Sequence, residues 1–371
     1  MSRITEVADR AGVSAMTVSR VLNNSGYVSA ATRQRVELAI AQLGYVPNAL
    51  ARQLRSKRTK MLALVVSDIS NPFFTTIARG VEDAASARGF AVMFCNTDES
   101  NAEESRYLRL LVERQVDGVL LVPAENAAAS LRLLRTHNIP VVVLDRRASR
   151  RVDNVRCDSE AGAHALARHL IELGHRRIAV LTGRRGISTS VDRVAGVRRA
   201  LADAGLELED SLVRYGGFNF GNTNLADGRL MTQDVLSAND DPPTAIFAAN
   251  NFIAFGAVRA LRELGLRVPD DISVVAFDDL PAEWVDEPFL TVAAQPAYEI
   301  GRRAAEMMID RLVGKRTSSG ESVVLPFEVI VRPSTAAPRA RATSGRRDAR
   351  PAHVDTRHDE GKLPLQAVRV P

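Results

Sequence analysis

The sequence predicts a small all-α N-terminal domain followed by an α/β region of two doubly wound parallel-sheet lobes. Three observations carry that prediction. Residues 4–43 hold three short helical patterns separated by glycine or serine signals. From Met61 onward, apolar strand-like runs alternate with helical stretches of about 10 to 15 residues, which requires crossover helices between parallel strands. The runs MLALVV, AVMFC, GVLLV, PVVVL, RIAVL, AIFAA and ISVVAF are too many for one small lobe, and 371 residues allow two or three domains.

The first helix is expected to be capped by Thr5 and to run to Ala11, with Gly12 as the tight turn. Ser14 caps a second helix from Ala15 to Leu22. Val7, Ala8, Val13, Val18 and Val21 have the spacing that packs the two together. Ala15, Met16, Thr17, Ser19 and Arg20 remain outward, where a DNA major groove would meet them; arginine is the usual reader of guanine. Ser29 opens a third helix with Val36, Ile40 and Leu43 on one stripe, ended by Gly44. NALARQLRSK, residues 48–57, is helical in propensity but too short to be stable alone in water. Its Leu50 and Leu54 share a side flanked by Arg52, Arg55 and Lys57, as a minor-groove wedge would require.

Charge supports a nucleic-acid partner at this end. Residues 1–60 carry ten Lys/Arg against three Asp/Glu, while residues 61–334 carry 31 against 37. No apolar run approaches the length of a membrane span and no secretory h-region opens the chain, so a cytoplasmic location is expected. Cys95 and Cys157 both fall in strand runs, as reduced core thiols would. No GxxxxGK[ST] or GxGxxG opens a helix, and His137, His164, His169 and His175 lie beside no nucleophile motif. Neither a catalytic centre nor a metal or cofactor is therefore expected.

Sheets of this class bind ligands beyond the carboxyl ends of their strands. The residues there are polar: Asp68 and Asn71, Asn96 and Thr97, Asp145 and Arg146, Asn250 and Asn251, Asp278 and Asp279. With Arg193, Gln295, Phe73, Phe74, Phe218 and Phe220 they are expected to line a cleft between the lobes. Carboxylates, amides and guanidinium groups there suit vicinal hydroxyls, and aromatic faces suit a sugar ring.

At these residues the chain resembles the lac repressor/galactose repressor family of bacterial transcription regulators. AGVSAMTVSRVLN is similar to the family's recognition-helix motif and YVPNALARQL to its hinge helix. SDISNPFF, DGVLL, VLDRR, VDRVAGVRRAL, AIFAANN, VVAFDDL and LTVAAQP are similar to successive blocks of its sensor, which resembles ribose-binding periplasmic proteins. The resemblance implies a periplasmic-binding-protein type I architecture over residues 61–334, behind a helix-turn-helix domain at 1–46 and a hinge at 47–60. It divides the sensor into lobes at 61–158 plus about 292–321 and 159–291 plus about 322–334, and leaves 335–371 as a disordered basic tail.

The resemblance further implies a homodimer on palindromic operator DNA. Thr5, Ser14, Ala15, Met16, Thr17, Ser19, Arg20 and Asn23 fall in the DNA-contacting region, with Asn48, Ala51 and Leu54 in the hinge. Asn71, Phe73, Phe74, Asp145, Arg146, Arg193, Phe218, Asn250, Asp278 and Gln295 fall where relatives hold an effector. A pentose such as ribose is the leading effector, with nucleobase-sensing and partner-protein-sensing regulators as alternatives. Departures are Asn251 and Gly217 where the family often has aspartate, and Ala294 where it often has arginine.

Overall fold

The structure is a computed structural model that describes residues 4–45, 58–125, 127–147, 149, 151–216, 224–281, 286–316 and 320–339. Asn48, Ala51, Leu54, Gly217, Phe218, Phe220 and the segment 340–371 lie outside the described residues.

The N-terminal unit is α1 (Ile4–Ala11), α2 (Ala15–Leu22) and α3 (Ala30–Leu43). Ser14 caps α2 by accepting the Thr17 amide at 3.2 Å, and Ser29 caps α3 by accepting that of Thr32 at 3.3 Å. Gly44 ends α3 in the left-handed region at φ 56°, where a side chain would be strained. Val7, Ala8, Val18, Val21 and Val36 close a buried core between the three helices. One expected cap is corrected: Thr5 lies inside α1, whose helix already includes Ile4.

The first lobe is a sheet in the order β11-β5-β4-β3-β1-β2, built from β1 (Met61–Val66), β2 (Ala91–Asn96), β3 (Gly118–Leu121), β4 (Val141–Leu144), β5 (Asp153–Cys157) and β11 (Ser322–Leu325). Its helices are α4 (Pro72–Ser86), α5 (Asn101–Glu113), α6 (Ala127–Thr136) and α11 (Ala297–Leu312). The second lobe repeats the plan as β12-β10-β9-β8-β6-β7. Its strands are β6 (Ile178–Thr182), β7 (Val213–Tyr215), β8 (Ala245–Ala248), β9 (Ser273–Phe277), β10 (Thr291–Ala294) and β12 (Glu328–Ile330). Helices α7 (Ser159–Glu172), α8 (Ser188–Asp203), α9 (Asn224–Ser237) and α10 (Asn251–Glu263) cover that sheet.

The central strands read as unbroken apolar runs because helices cover both faces. Leu62 to Val65 and Ala245 to Ala248 are fully buried. All pairings are parallel except β10 with β12.

Two expected lobe limits move. Residues 292–294 pair in the second sheet through β10, and residues 322–325 pair in the first through β11. Both strands are only four residues long, and β11 finds its partner β5 far away in sequence, so local periodicity does not assign them. Thr335 and Ala336, expected in the tail, are packed on the second lobe. Ser334 is fully buried, Thr335 meets His169 at 3.0 Å, and the Ala336 amide donates to Ser273 at 3.1 Å.

Glycine sets how closely the covering helices cross. A Cβ on Gly80 would lie 2.1 Å from the Tyr298 carbonyl oxygen, and one on Gly301 would lie 2.1 Å from that of Ile77. Helices α4 and α11 therefore touch backbone to backbone. Gly301→Ala is expected to push them apart at a cost of about 1 to 3 kcal/mol, seen as a lower urea midpoint. An unchanged midpoint would show that the contact yields freely.

Candidate functional site

A cavity of about 620 Å³ lies between the carboxyl ends of the two sheets, within the size range of small-molecule sites. Asn71, Phe73, Phe74, Asp145, Arg146, Arg193, Asn250 and Asp278 all line it. Gln295 does not. It stands behind Asp278, donating Nε2 to Oδ1 at 2.7 Å.

The repeated topology places two aspartates at equivalent points. Asp145 follows β4 and Asp278 follows β9, each with its amide donating to the neighbouring strand, to Val155 at 2.9 Å and Ala293 at 3.1 Å. Both are left-handed, at φ 63° and 67°. Aspartate tolerates this better than most residues, and such strain collects at ligand sites. Burial pushes the Asp145 carboxyl up to about 6, opposed by Arg193 and Arg146 and reinforced by Asp278. Burial also raises Asp278, against Arg193 and the Gln295 hydrogen bond. The same burial, with both aspartates nearby, takes the Cys157 thiol up to about 12, so it is inert.

Arg193 projects from α8 with its guanidinium 4.0 Å over the Phe277 ring and donates Nη1 to the Ala249 carbonyl. Arg146 donates to the carbonyls of Pro123 and Ala124 and pairs with Glu99. Phe73 and Phe74 form a buried edge-on pair with centroids 5.1 Å apart. Asn71 caps α4 by accepting the Phe73 amide at 3.0 Å, and Asn250 caps α10 by accepting that of Ile253 at 2.8 Å.

Among the described residues, several buried polar atoms of the cavity lining have no hydrogen-bond partner: Asp145 Oδ1, Glu99 Oε2, Arg146 Nε and Arg193 Nε. Buried polar groups are normally satisfied, so a cluster of exceptions makes this cavity a candidate site for a polar ligand.

The lobes are bridged around the cavity. Asn71 and Asn251 exchange amide hydrogen bonds at 3.3 Å, Arg184 donates to the Glu99 carbonyl at 2.9 Å, and Arg147 pairs with Asp192 at 3.0 Å. Asn251, expected to line the cleft, thus serves as a bridge.

Other expected cleft residues have structural duties. Asp279 forms a two-pronged pair with Arg332 at 2.7 and 2.6 Å, Asn96 accepts the Ile69 amide at 2.9 Å, and Thr97 donates to Val66 at 3.2 Å. Sequence reasoning missed Glu99, Arg184, Thr189 and Ser190, which line the cavity. Glu99 had a readable signal, since it stands in the same polar TDES run that follows β2.

In the N-terminal unit, Met16 is 60% exposed and Arg20 is exposed on the same helix. Ala15, Thr17 and Ser19 are half-buried, while Ser14 and Asn23 are exposed at its caps. Among the described residues no helix is long and apolar enough to cross a membrane, and no His/Cys/Asp/Glu group could hold a metal ion.

Residues 3–48 match the family model for bacterial regulatory proteins of the lacI family, and residues 59–332 that for periplasmic binding proteins and the sugar binding domain of the LacI family. The ribose operon repressor of Halalkalibacterium halodurans is 35% identical over 90% of this chain and 97% of its own. The HTH-type transcriptional repressor PurR of Aliivibrio fischeri is 35% identical over 85% and 93%. Among solved structures, a transcriptional regulator CelR–cellobiose complex is 36% identical with a TM-score of 0.67, covering 90% of this chain and 100% of that one. The lac repressor dimer bound to operator and the anti-inducer ONPF is 28% identical with a TM-score of 0.78, over 91% and 99%. With both its reading head and its two-lobed sensor accounted for, this chain belongs to the LacI family of bacterial regulatory proteins, ligand-responsive regulators that bind DNA.

Proposed function

We propose that the protein is a cytoplasmic, homodimeric repressor of carbohydrate uptake or catabolism genes. It binds a palindromic operator, and a sugar in the interlobe cavity sets its operator affinity. The observation that carries this reading is the set of partnerless buried carboxylate and guanidinium atoms beside Phe73 and Phe74. Those groups accept from and donate to ring hydroxyls while the aromatic pair covers an apolar ring face. The similarity to a ribose operon repressor and to a regulator bound to cellobiose supports a carbohydrate. Asn71, Asp145, Arg146, Arg193, Asn250 and Asp278 are the proposed contacts, with Phe218 from the resemblance and Gln295 holding Asp278. The protein performs no chemical turnover in this scheme.

Interlobe bridges such as Asn71–Asn251 give the effector its lever. A sugar that closes or opens the lobes shifts a two-state equilibrium that the DNA-binding unit shares. Titration of an operator fragment with and without ribose, other pentoses and hexoses tests this. The expected change in operator affinity for the active sugar is about 5- to 150-fold, with the reciprocal change in sugar affinity. Identical operator affinity with saturating bound sugar would remove the regulatory reading.

On the DNA side, Ala15, Met16 and Arg20 are proposed to face base edges, and Leu54 to wedge the central step. Arg20→Ala is expected to relax discrimination at one operator position by about 1 to 3 kcal/mol. Binding to operator variants checks it. A uniform loss across all variants would make Arg20 a phosphate contact instead.

A further inference from the structure

We infer that the amino end of the first lobe, where the chain arrives from the reading head, is a second DNA-contacting surface that holds backbone phosphates without reading bases. This goes beyond the operator reading above and rests on it.

The strands of the first sheet are all parallel, so the segments that lead into them gather at the end opposite the cavity. Residues 58–60, 87–90, 114–117, 137–140 and 313–321 lead into β1, β2, β3, β4 and β11. They carry six Lys/Arg (Arg58, Lys60, Arg88, Arg114, Lys315 and Arg316) against two carboxylates, Asp117 and Glu321. The second lobe repeats the plan and gives the comparison. Its segments 173–177, 204–212, 238–244 and 264–272, which lead into β6, β7, β8 and β9, carry three Lys/Arg against seven carboxylates. Cations at helix carboxyl ends are favoured by the helix dipole. That cause acts on both lobes alike, so it does not account for a cationic surplus in one and an anionic surplus in the other.

Most carboxylates at this end of the first lobe are committed to the protein. Asp117 accepts the Thr59 and Lys60 amides at 2.8 and 2.9 Å and the Thr59 hydroxyl at 3.0 Å. Asp153 pairs with Arg311 at 2.6 Å, Asp310 with Arg88 at 3.4 Å, and Glu321 with Arg316. Glu113 is exposed beside Arg114. Among the described residues Arg114, Arg135 on the last turn of α6, and Lys315 are exposed and form no ion pair.

Reach follows from the chain. Asp117 clamps residues 59–60 to the start of β3, and Arg58 donates to the Leu312 carbonyl at the end of α11, so the chain meets the lobe at this end. Leu54, the proposed minor-groove wedge, is four residues before Arg58. Four residues span about 6 Å as helix and no more than about 14 Å fully extended. A duplex that holds Leu54 therefore passes close to the cationic band, and phosphate is the partner of matching charge that the chain itself delivers there.

Fluorescence anisotropy on the full chain tests this with two probes, a duplex that the wild type selects from a random-sequence pool and an unrelated duplex of equal length. Each is titrated over a range of salt. Arg114→Gln/Arg135→Gln removes two cations per protomer and four per dimer, so the slope of log K against log salt should become shallower by about 2 to 4 on both duplexes. Affinity at low salt should fall about tenfold or more on each. The ratio of the two affinities should hold, because phosphate contacts carry no sequence information. Arg114→Lys/Arg135→Lys keeps the charges and should keep the slope. Arg168→Gln/Arg176→Gln removes the same charge from exposed residues of the second lobe and should change the slope by less than about 1. Thermal midpoints show that all three variants fold.

An unchanged slope in Arg114→Gln/Arg135→Gln, with the wild type selecting its duplex, would overturn this inference and leave the operator reading standing; the band would then fall to an acidic protein partner. A loss on the selected duplex alone would overturn the phosphate role. An equal loss in the second-lobe variant would reduce the effect to net charge and overturn the placement. A wild type that selects no duplex would overturn both this inference and the reading beneath it.

Discussion

Arg193→Met is expected to reduce effector affinity by about 100-fold, the loss of a charge-assisted hydrogen bond or two, and to destabilise the sensor. Methionine fills most of the volume that the arginine stem occupies over Phe277. It cannot supply the hydrogen bond to Ala249 or the positive charge that opposes the raised pKa values of Asp145 and Asp278. Two buried carboxylates then face each other with less compensation. Removing one partner from such a cluster costs about 3 to 5 kcal/mol.

The cost should shrink at about pH 5, where the aspartates take up protons that relieve the imbalance. Urea unfolding of wild type and variant at the two pH values, with calorimetric sugar binding at neutral pH, checks this. A variant that binds sugar within a few-fold of wild type would show that Arg193 only props the helix.

Asp145→Asn should separate stability from binding. The folded-state pKa of Asp145 is raised, to about 6 against an ordinary value of 3.8. The folded protein therefore holds this proton more tightly than the unfolded chain does. The associated stability is fully present below pH 3.8 and is lost as pH rises through about 6. Above that range the ionised carboxylate destabilises the sensor by up to about 3 kcal/mol, at 1.36 kcal/mol per unit.

Asparagine carries no charge to bury and tolerates the left-handed backbone at φ 63°. The variant should thus be more stable than wild type at pH 7.5 and shed most of that advantage by pH 4.5. At the same time it should bind effector about 10-fold or more weakly, because a charged acceptor is lost. Stability that follows wild type at both pH values would mean that Asp145 is not strained by its charge.

Much of this molecule was legible in the chain because it rests on local rules. Ser14, Ser29 and Gly44 mark helix ends by backbone satisfaction that any short segment can compute for itself. Six of the seven apolar runs became strands because burial on both faces demands apolar residues at every position, while β2 lies at the sheet edge with Phe94 exposed. Polar residues at the ends of β1, β4, β8 and β9 then fell in the cleft because parallel strands all present their carboxyl ends to the same side.

Tertiary structure alone decided what depends on partners distant in sequence. The short β11 and β12 take the chain into the first sheet and back into the second by pairing, with no periodicity to announce it. It also decided which strand-end residues face the cavity and which face protein. Asp278 and Asp279 are adjacent and chemically identical, yet one meets Arg193 in the cavity while the other is held by Arg332. Asn250 lines the cavity and Asn251 bridges to Asn71. The sequence by itself determined the reading head, the two sheets and the polar edge between them. The division of labour along that edge came from packing, because a side chain's role is set by the charge and volume that the fold brings against it.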